Sequence, residues 1–155
     1  NQNKYTLIRH SNIYGPYDKF DLEKSHVLGA TINKVVNNKK NHVSIWGNGK
    51  ESRDLLYVSD LVRFVDLAIK NQKNKFELYN VGLGKLISIN DLVRKIIKFY
   101  DKKIKIKNDL SKQSLSTKVL LDCNKAKKEI NWTPKTSLDE GIKKTLQWYL
   151  KETRR

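Results

Sequence analysis

Three histidines and one cysteine are the side chains of this 155-residue chain best suited to chemistry beyond solvation. His26 stands between a polar loop, "YDKFDLEKS", and the run "VLGA", where a helix is expected to begin. An imidazole titrates near neutrality and so suits proton transfer. The alternatives are a metal ligand or a packed structural histidine. His10 and His42 lie far from it in sequence, and no histidine–carboxylate pair has ligand spacing, so no metal is expected. A nucleophilic triad lacks its serine elbow. Proton transfer and packing remain, and spacing alone favours packing.

Gly82-Leu83-Gly84 follows an apolar strand and precedes a helix, the setting of a dinucleotide-binding loop. Ile87 occupies the place of the third glycine, and no acid ends a following strand at the needed distance. The glycines therefore read as a tight turn. Cys123 has no second cysteine to pair with, which fits a reducing cytoplasm. No apolar run reaches membrane length, so neither a membrane span nor a membrane partner is expected.

Charge is the loudest compositional feature: 32 basic against 16 acidic side chains, a net charge of +16. An excess of that size raises nucleic acid or phosphate-bearing ligands as partners. Only six of the basic residues are arginine, the better reader of bases and phosphates. There is no zinc spacing and no aromatic-rich RNA-binding strand. A basic nucleic-acid-binding module is thus the rival of another class, and no nucleic acid is expected.

The elements that must position these residues alternate between α and β. A strand is expected over 5–9. A helix follows over 25–38, with Val27, Ala30, Thr31, Lys34 and Val35 at helical spacing. "HVSIW" reads as a strand ended by Gly47-Asn48-Gly49, and "RDLLYV" as a second extended run. Ser59 is the expected cap of the helix "DLVRFVDLAIKN", with Leu61, Val65, Ala68 and Ile69 on one face. "FELYNVG" is a strand. Ser88 with Asp91, and Ser137 with Glu140, look like capping boxes for two further helices. "KIKIK" alternates like an edge strand, "TKVLLD" reads as a short strand, and a brief helix spans 125–130.

Four stretches in order carry a resemblance: "IRHSNIYGP", "SIWGNGKESRDLLYVSDLV", "YNVGLGKLISINDL" and "WTPKTSLDEGIKKTLQWY". Together they resemble the C-terminal half of an extended short-chain dehydrogenase/reductase, the NAD-dependent epimerase/dehydratase family. Tyr14-Gly15-Pro16, Asp18, Phe20 and Ser25-His26-Val27 are similar to the GDP-L-fucose synthases within it. The resemblance implies residues 1–155 as one α/β fragment: the last strands of a Rossmann-type sheet plus a small substrate-binding lobe, with the N-terminal Rossmann half absent. It implies epimerisation and reduction of GDP-4-keto-6-deoxymannose, with a UDP- or dTDP-sugar 4-epimerase or 4,6-dehydratase as the alternative.

The site residues follow from the same resemblance. His10, Ser11, Asn12 and Ile13 would line the nicotinamide side of bound NADP or NAD. His26 would touch the cofactor and act as the acid/base, its place at a helix N-terminus keeping the imidazole available as a base. Lys34, Trp46 and Arg53 would hold the nucleotide-diphosphate sugar, with Lys118 as a further contact. Each has a blander reading: Lys34 as a surface lysine, Trp46 as a core aromatic, Arg53 as the partner of Asp54 or Asp60. The family's glycine-rich loop and Tyr-x-x-x-Lys pair do not occur in these residues. The fragment alone is therefore expected to be inactive, in a cytoplasmic enzyme whose relatives commonly dimerise through the other half, leaving a homodimer open.

Overall fold

The computed structural model describes residues 3–22, 24–112 and 118–153. The opening strand, β1 (Tyr5–His10), does not end in a turn. After Ser11 the chain re-enters a second strand, β2 (Asn12–Tyr14). α1 (Val27–Val36), β3 (His42–Trp46), β4 (Ser52–Tyr57), α2 (Val58–Asn71) and β5 (Phe76–Val81) follow. β6 (Leu86–Ser88), α3 (Ile89–Tyr100), β7 (Lys105–Asp109), α4 (Asn124–Ile130) and α5 (Leu138–Thr153) complete the order.

β1 pairs in parallel with β5, and the ladder is prolonged by the Ser11 N–H donating to the Val81 carbonyl at 2.9 Å. One residue later the chain changes sheets. β2 lies parallel to the second half of β4, while the first half of β4 runs antiparallel to β6. β3 pairs in parallel with β7. Parallel pairing needs a crossover, and helices supply it: α2 leads into β5, and α3 lies between β3 and β7. Where β1 and β2 part, the carboxyl end of β1 opens into a hollow, the usual place for a ligand in a parallel sheet.

Two apolar clusters hold these sheets. Leu28, Ile32 and Val35 of α1 meet Leu92, Val93 and Ile96 of α3 and Ile142 and Leu146 of α5. On the other side Phe64 and Ala68 of α2 pack with Tyr79 and Val81 of β5 and with Ala126, Ile130 and Trp132. Phe64 meets the rings of Tyr79 and Trp132 edge-on, each at 5.6 Å between centroids. Each such buried side chain contributes roughly 1.5–3 kcal/mol.

Several expectations need correction. α2 begins at Val58, so Ser59 does not cap it, and its buried face carries Phe64 and Ala68 while Val65 and Ile69 stay exposed. Asp60 turns the helix. Its buried carboxylate accepts the Lys135 and Thr136 N–H groups at 2.8 and 2.9 Å, tying α2 to the loop that enters α5. α1 is shorter than its pattern, leaving Ser25 and His26 outside the helix. Lys118–Asp122 forms no strand, and Thr117 of the expected strand lies outside the described residues. β6 was hidden between the glycine turn and α3. Both capping serines act as expected: Ser88 accepts the Asp91 N–H at 3.1 Å, and Ser137 accepts that of Glu140 at 3.2 Å.

Candidate functional site

Lys34, Trp46 and Arg53 come together in one hollow of about 290 Å³ between α1, β3 and β4. The stripe Val27, Ala30, Thr31 and Lys34 forms its helical wall in the i, i+3, i+4, i+7 pattern. Trp46 is no core aromatic. It is the last residue of β3, and strand alternation buries Val43 and Ile45 while Trp46 remains 62 % exposed at the rim. The Lys112 ammonium lies 6.0 Å from the centre of its ring, a cation the sequence reading passed over. Past Lys34 and Trp46 the hollow continues into a groove of about 490 Å³ bordered by Lys39, Lys40 and His42.

Arg53 does have an acidic partner, but it is Glu51 rather than Asp54 or Asp60. Arg53 Nη2 lies 2.9 Å from Glu51 Oε2, and Nη1 donates to the Ser52 carbonyl at 3.0 Å. Glu51 also lines the hollow. The pair fixes the guanidinium in the wall, and among the described residues Lys34, Arg53 and Glu51 are the charged groups that line the hollow.

His10, Ser11, Asn12, Ile13 and His26 line a second hollow, also about 290 Å³, at the point where β1 and β2 separate. His26 enters from the residue preceding α1 and is exposed rather than packed. His10 Nδ1 lies 2.8 Å from the Ser11 carbonyl oxygen, which can only accept. That nitrogen must therefore carry a proton, leaving Nε2 as the acceptor of a neutral ring. Val119 and Leu121, from the extended segment before α4, close the far wall.

Asp54, which no sequence motif flagged, forms part of this second hollow. It is 2 % exposed, and its carboxylate accepts the Leu83 and Gly84 N–H groups at 2.9 and 3.1 Å. Burial raises its pKa, and those two N–H groups pull in the opposite direction. The Ser11 hydroxyl lies beside it, near enough to favour the ionised form yet outside hydrogen-bond geometry. A Cβ at position 82 would stand 2.6 Å from Asp54 Oδ2, and Gly84 has φ +73°. The glycine pair thus makes a turn around a buried carboxylate, in agreement with rejecting the dinucleotide fingerprint. The signal was a lone acid inside the apolar run "DLLYV".

Lys118 does not join the other cations. It is exposed on the segment whose Val119 and Leu121 line the second hollow, and it lines neither hollow itself. Cys123 borders a separate hollow beside the glycine turn, its thiol 3.8 Å from the Gly82 carbonyl and pushed up in pKa by burial. Among the described residues no group of three potential metal ligands forms, and no helix is long and apolar enough to cross a membrane.

Comparison with known proteins adds the family. GDP-L-colitose synthase of Yersinia pseudotuberculosis is 37 % identical over 144 residues, which span 91 % of this chain and 46 % of the relative. A putative GDP-L-fucose synthase 2 of Arabidopsis thaliana is 34 % identical over 143 residues, covering 90 % of this chain and 43 % of its own length. The crystal structure of UDP-glucose 4-epimerase from Thermotoga maritima, solved with UDP-glucose, superposes with a TM-score of 0.82 at 32 % identity. That superposition covers 97 % of this chain and 47 % of the epimerase. The chain spans about half the length of the relatives it matches, and its fold is that of the C-terminal part of such enzymes. Residues 1–82, more than half of the sequence, match the model of the NAD dependent epimerase/dehydratase family, and to that family the chain belongs.

Proposed function

We propose that residues 1–155 form the substrate-binding lobe and the last cofactor-side strands of an NAD(P)-dependent GDP-sugar epimerase-reductase. The observation that carries this reading is the division of labour between two adjoining hollows. One gathers Lys34, Arg53 and an exposed indole, groups suited to a diphosphate and a flat base. The other gathers an exposed imidazole with the polar ends of β1 and β2. The two curated relatives are named for GDP-sugar products, and the groove beyond Trp46 leaves room for a purine.

The residues of the second hollow fit a nicotinamide: Ser11 offers a hydroxyl with no hydrogen-bond partner among the described residues, and Asn12 and His10 stand beside it. Bound NADP or NAD would supply the hydride. The chain's own part is proton transfer and positioning. With the diphosphate held at Arg53 and Lys34, the neutral His26 ring accepts the proton next to the sugar ketone. His26 serves one face of the enolate only, and inversion is completed when a second acid delivers a proton to the opposite face before reduction.

The test is made with the intact protein and GDP-4-keto-6-deoxymannose in D₂O. His26→Asn should stop deuterium entering the sugar while hydride transfer to an already epimerised ketone persists. Equal loss of both would mark His26 as structural. A second reading, a UDP-sugar 4-epimerase, is favoured by the Thermotoga maritima neighbour. Selective binding of UDP over GDP would establish it in place of the first.

A further inference from the structure

The loop between β2 and α1 is tied to the helix by Asn33 and braced by bonds within itself, and these leave one buried oxygen unused. Asn33 Nδ2 donates to the Phe20 carbonyl, Ser25 Oγ to the Asp21 carbonyl, and the Lys24 N–H to Asp21 Oδ1 at 2.7 Å. The Asp18 Oδ1 accepts the Lys19 N–H at 2.7 Å, whereas its Oδ2 is buried and meets no hydrogen-bond donor among the described residues. The loop presses on the first turn of α1. A Cβ at Gly29 would lie 2.6 Å from the Lys19 carbonyl oxygen and 3.6 Å from Asp18 Oδ2.

A buried carboxylate oxygen without a donor is costly unless some other group uses its charge. Burial raises the Asp18 carboxyl, while the Lys19 N–H and then the charge of His26 work the other way. His26 immediately precedes the turn that Asp18 touches. α1 has no acid in its first turn and no side chain capping its start, so Asp18 brings negative charge to that end from the loop.

We infer that Asp18 is a positioning residue for His26, placing negative charge at the start of α1 that offsets the charge forming on its imidazole. This rests on reading His26 as the proton-transfer group. In that step the ring nitrogen takes the proton from the carbon next to the ketone. The C–H electron pair becomes the carbon–carbon double bond of an enolate, and the ketone oxygen takes the negative charge. Return of the proton to that carbon reverses each change. The imidazolium so formed sits at the N-terminal end of α1, where the helix presents about half a positive charge. Ionised Asp18 sets a negative charge against that half charge at the same end of the helix.

Asp18→Asn keeps the shape and the acceptor for Lys19 and removes the charge. In the intact protein it should slow deuterium entry from solvent into the keto sugar by about tenfold or more, part of the roughly 10²- to 10⁴-fold that proton transfer by a positioned side chain supplies. KM and hydride transfer to the epimerised ketone should stay as they were. Unchanged exchange, or an equal fall in both steps, overturns the inference. The ¹⁵N resonances of the His26 ring give a reading that needs no substrate. They should move in Asp18→Asn through an altered balance of tautomers, and identical resonances overturn the pairing. If the unaltered protein exchanges no deuterium, the proposed reaction fails while the ring resonances still decide whether Asp18 acts on His26.

Discussion

Replacing Arg53 by alanine tests most directly the proposal that the hollow between α1, β3 and β4 binds an anion. A hydrogen bond to a charged group contributes about 1.5–3 kcal/mol, so its loss alone should weaken GDP binding by roughly 10- to 150-fold. The wall adds a second effect. Glu51 is bonded to the guanidinium at 2.9 Å, and its side chain is 13 % exposed. Without Arg53 it becomes an uncompensated anion facing the diphosphate. Two unit charges about 6 Å apart at an effective dielectric of about 20–40 repel by roughly 1.5–3 kcal/mol. Arg53→Ala should therefore cost more than a single hydrogen bond, and Arg53→Ala with Glu51→Gln should regain the Glu51 share. Isothermal titration of the intact protein with GDP, at two salt concentrations, measures both. Unchanged affinity in Arg53→Ala refutes the diphosphate role. A double variant no tighter than the single one refutes the part given to Glu51.

Two further outcomes follow from the packing. Gly141→Ala would ordinarily favour α5 by about 1 kcal/mol, but its Cβ would stand 2.1 Å from the hydroxyl of buried Tyr14. Overpacking of this kind costs about 1–3 kcal/mol, so scanning calorimetry should show a net fall in Tm of about 2–4 °C, and a rise would refute the contact. Lys125 first and Asn74 second hold the Glu77 carboxyl below its ordinary value of 4.5. A lowered acid pKa stabilises the fold above the ordinary value, and that stability is lost as pH falls through the lower, folded one. Urea midpoints followed below about pH 4.5 should show Glu77→Gln with a flatter acid limb than the unaltered protein; parallel curves would discount the pair.

The periodicity of the chain revealed most helices because each has a genuine apolar stripe and two have serine caps. It misplaced the face of α2, where the deciding residue is Asp60. A carboxylate normally counts as outward-facing, but here it is buried by two N–H groups from a loop about 75 residues away, a partnership invisible to local pattern. Asp54 escaped for the same reason. The stripe Val27, Ala30, Thr31 and Lys34 was read as helical spacing alone, and it walls a hollow. Periodicity reports that a face is covered by something, without saying whether by side chains or by a cavity. That Lys34, Trp46 and Arg53 would share one hollow, and His10, Ser11, Asn12, Ile13 and His26 another, was legible only through resemblance, because their members are brought together by sheet pairing across many residues. Lys118 shows the limit of such transfer, standing apart from the cations with which it was grouped.

The two hollows owe their relation to β4. Arg53 and Asp54 are consecutive, and the pleat of a strand sends consecutive side chains to opposite faces. The guanidinium therefore lines one hollow and the carboxylate the other. Ser25 and His26 divide in the same way just before α1. A slip of β4 by one residue would exchange the faces, setting Asp54 against the anion-binding wall and leaving Arg53 under the imidazole. Its register is pinned from both sides: Arg53 faces Ile87 and Asp54 faces Leu86 on β6, while Leu55 faces Asn12 and Tyr57 faces Tyr14 on β2. The bonds from Leu83 and Gly84 to Asp54 add a third constraint, because only the observed register places that carboxylate under the glycine turn. Asp54 thus needs no part in proton transfer to matter for it. By fixing the strand, it keeps the Arg53 guanidinium in one hollow and leaves the other to His26.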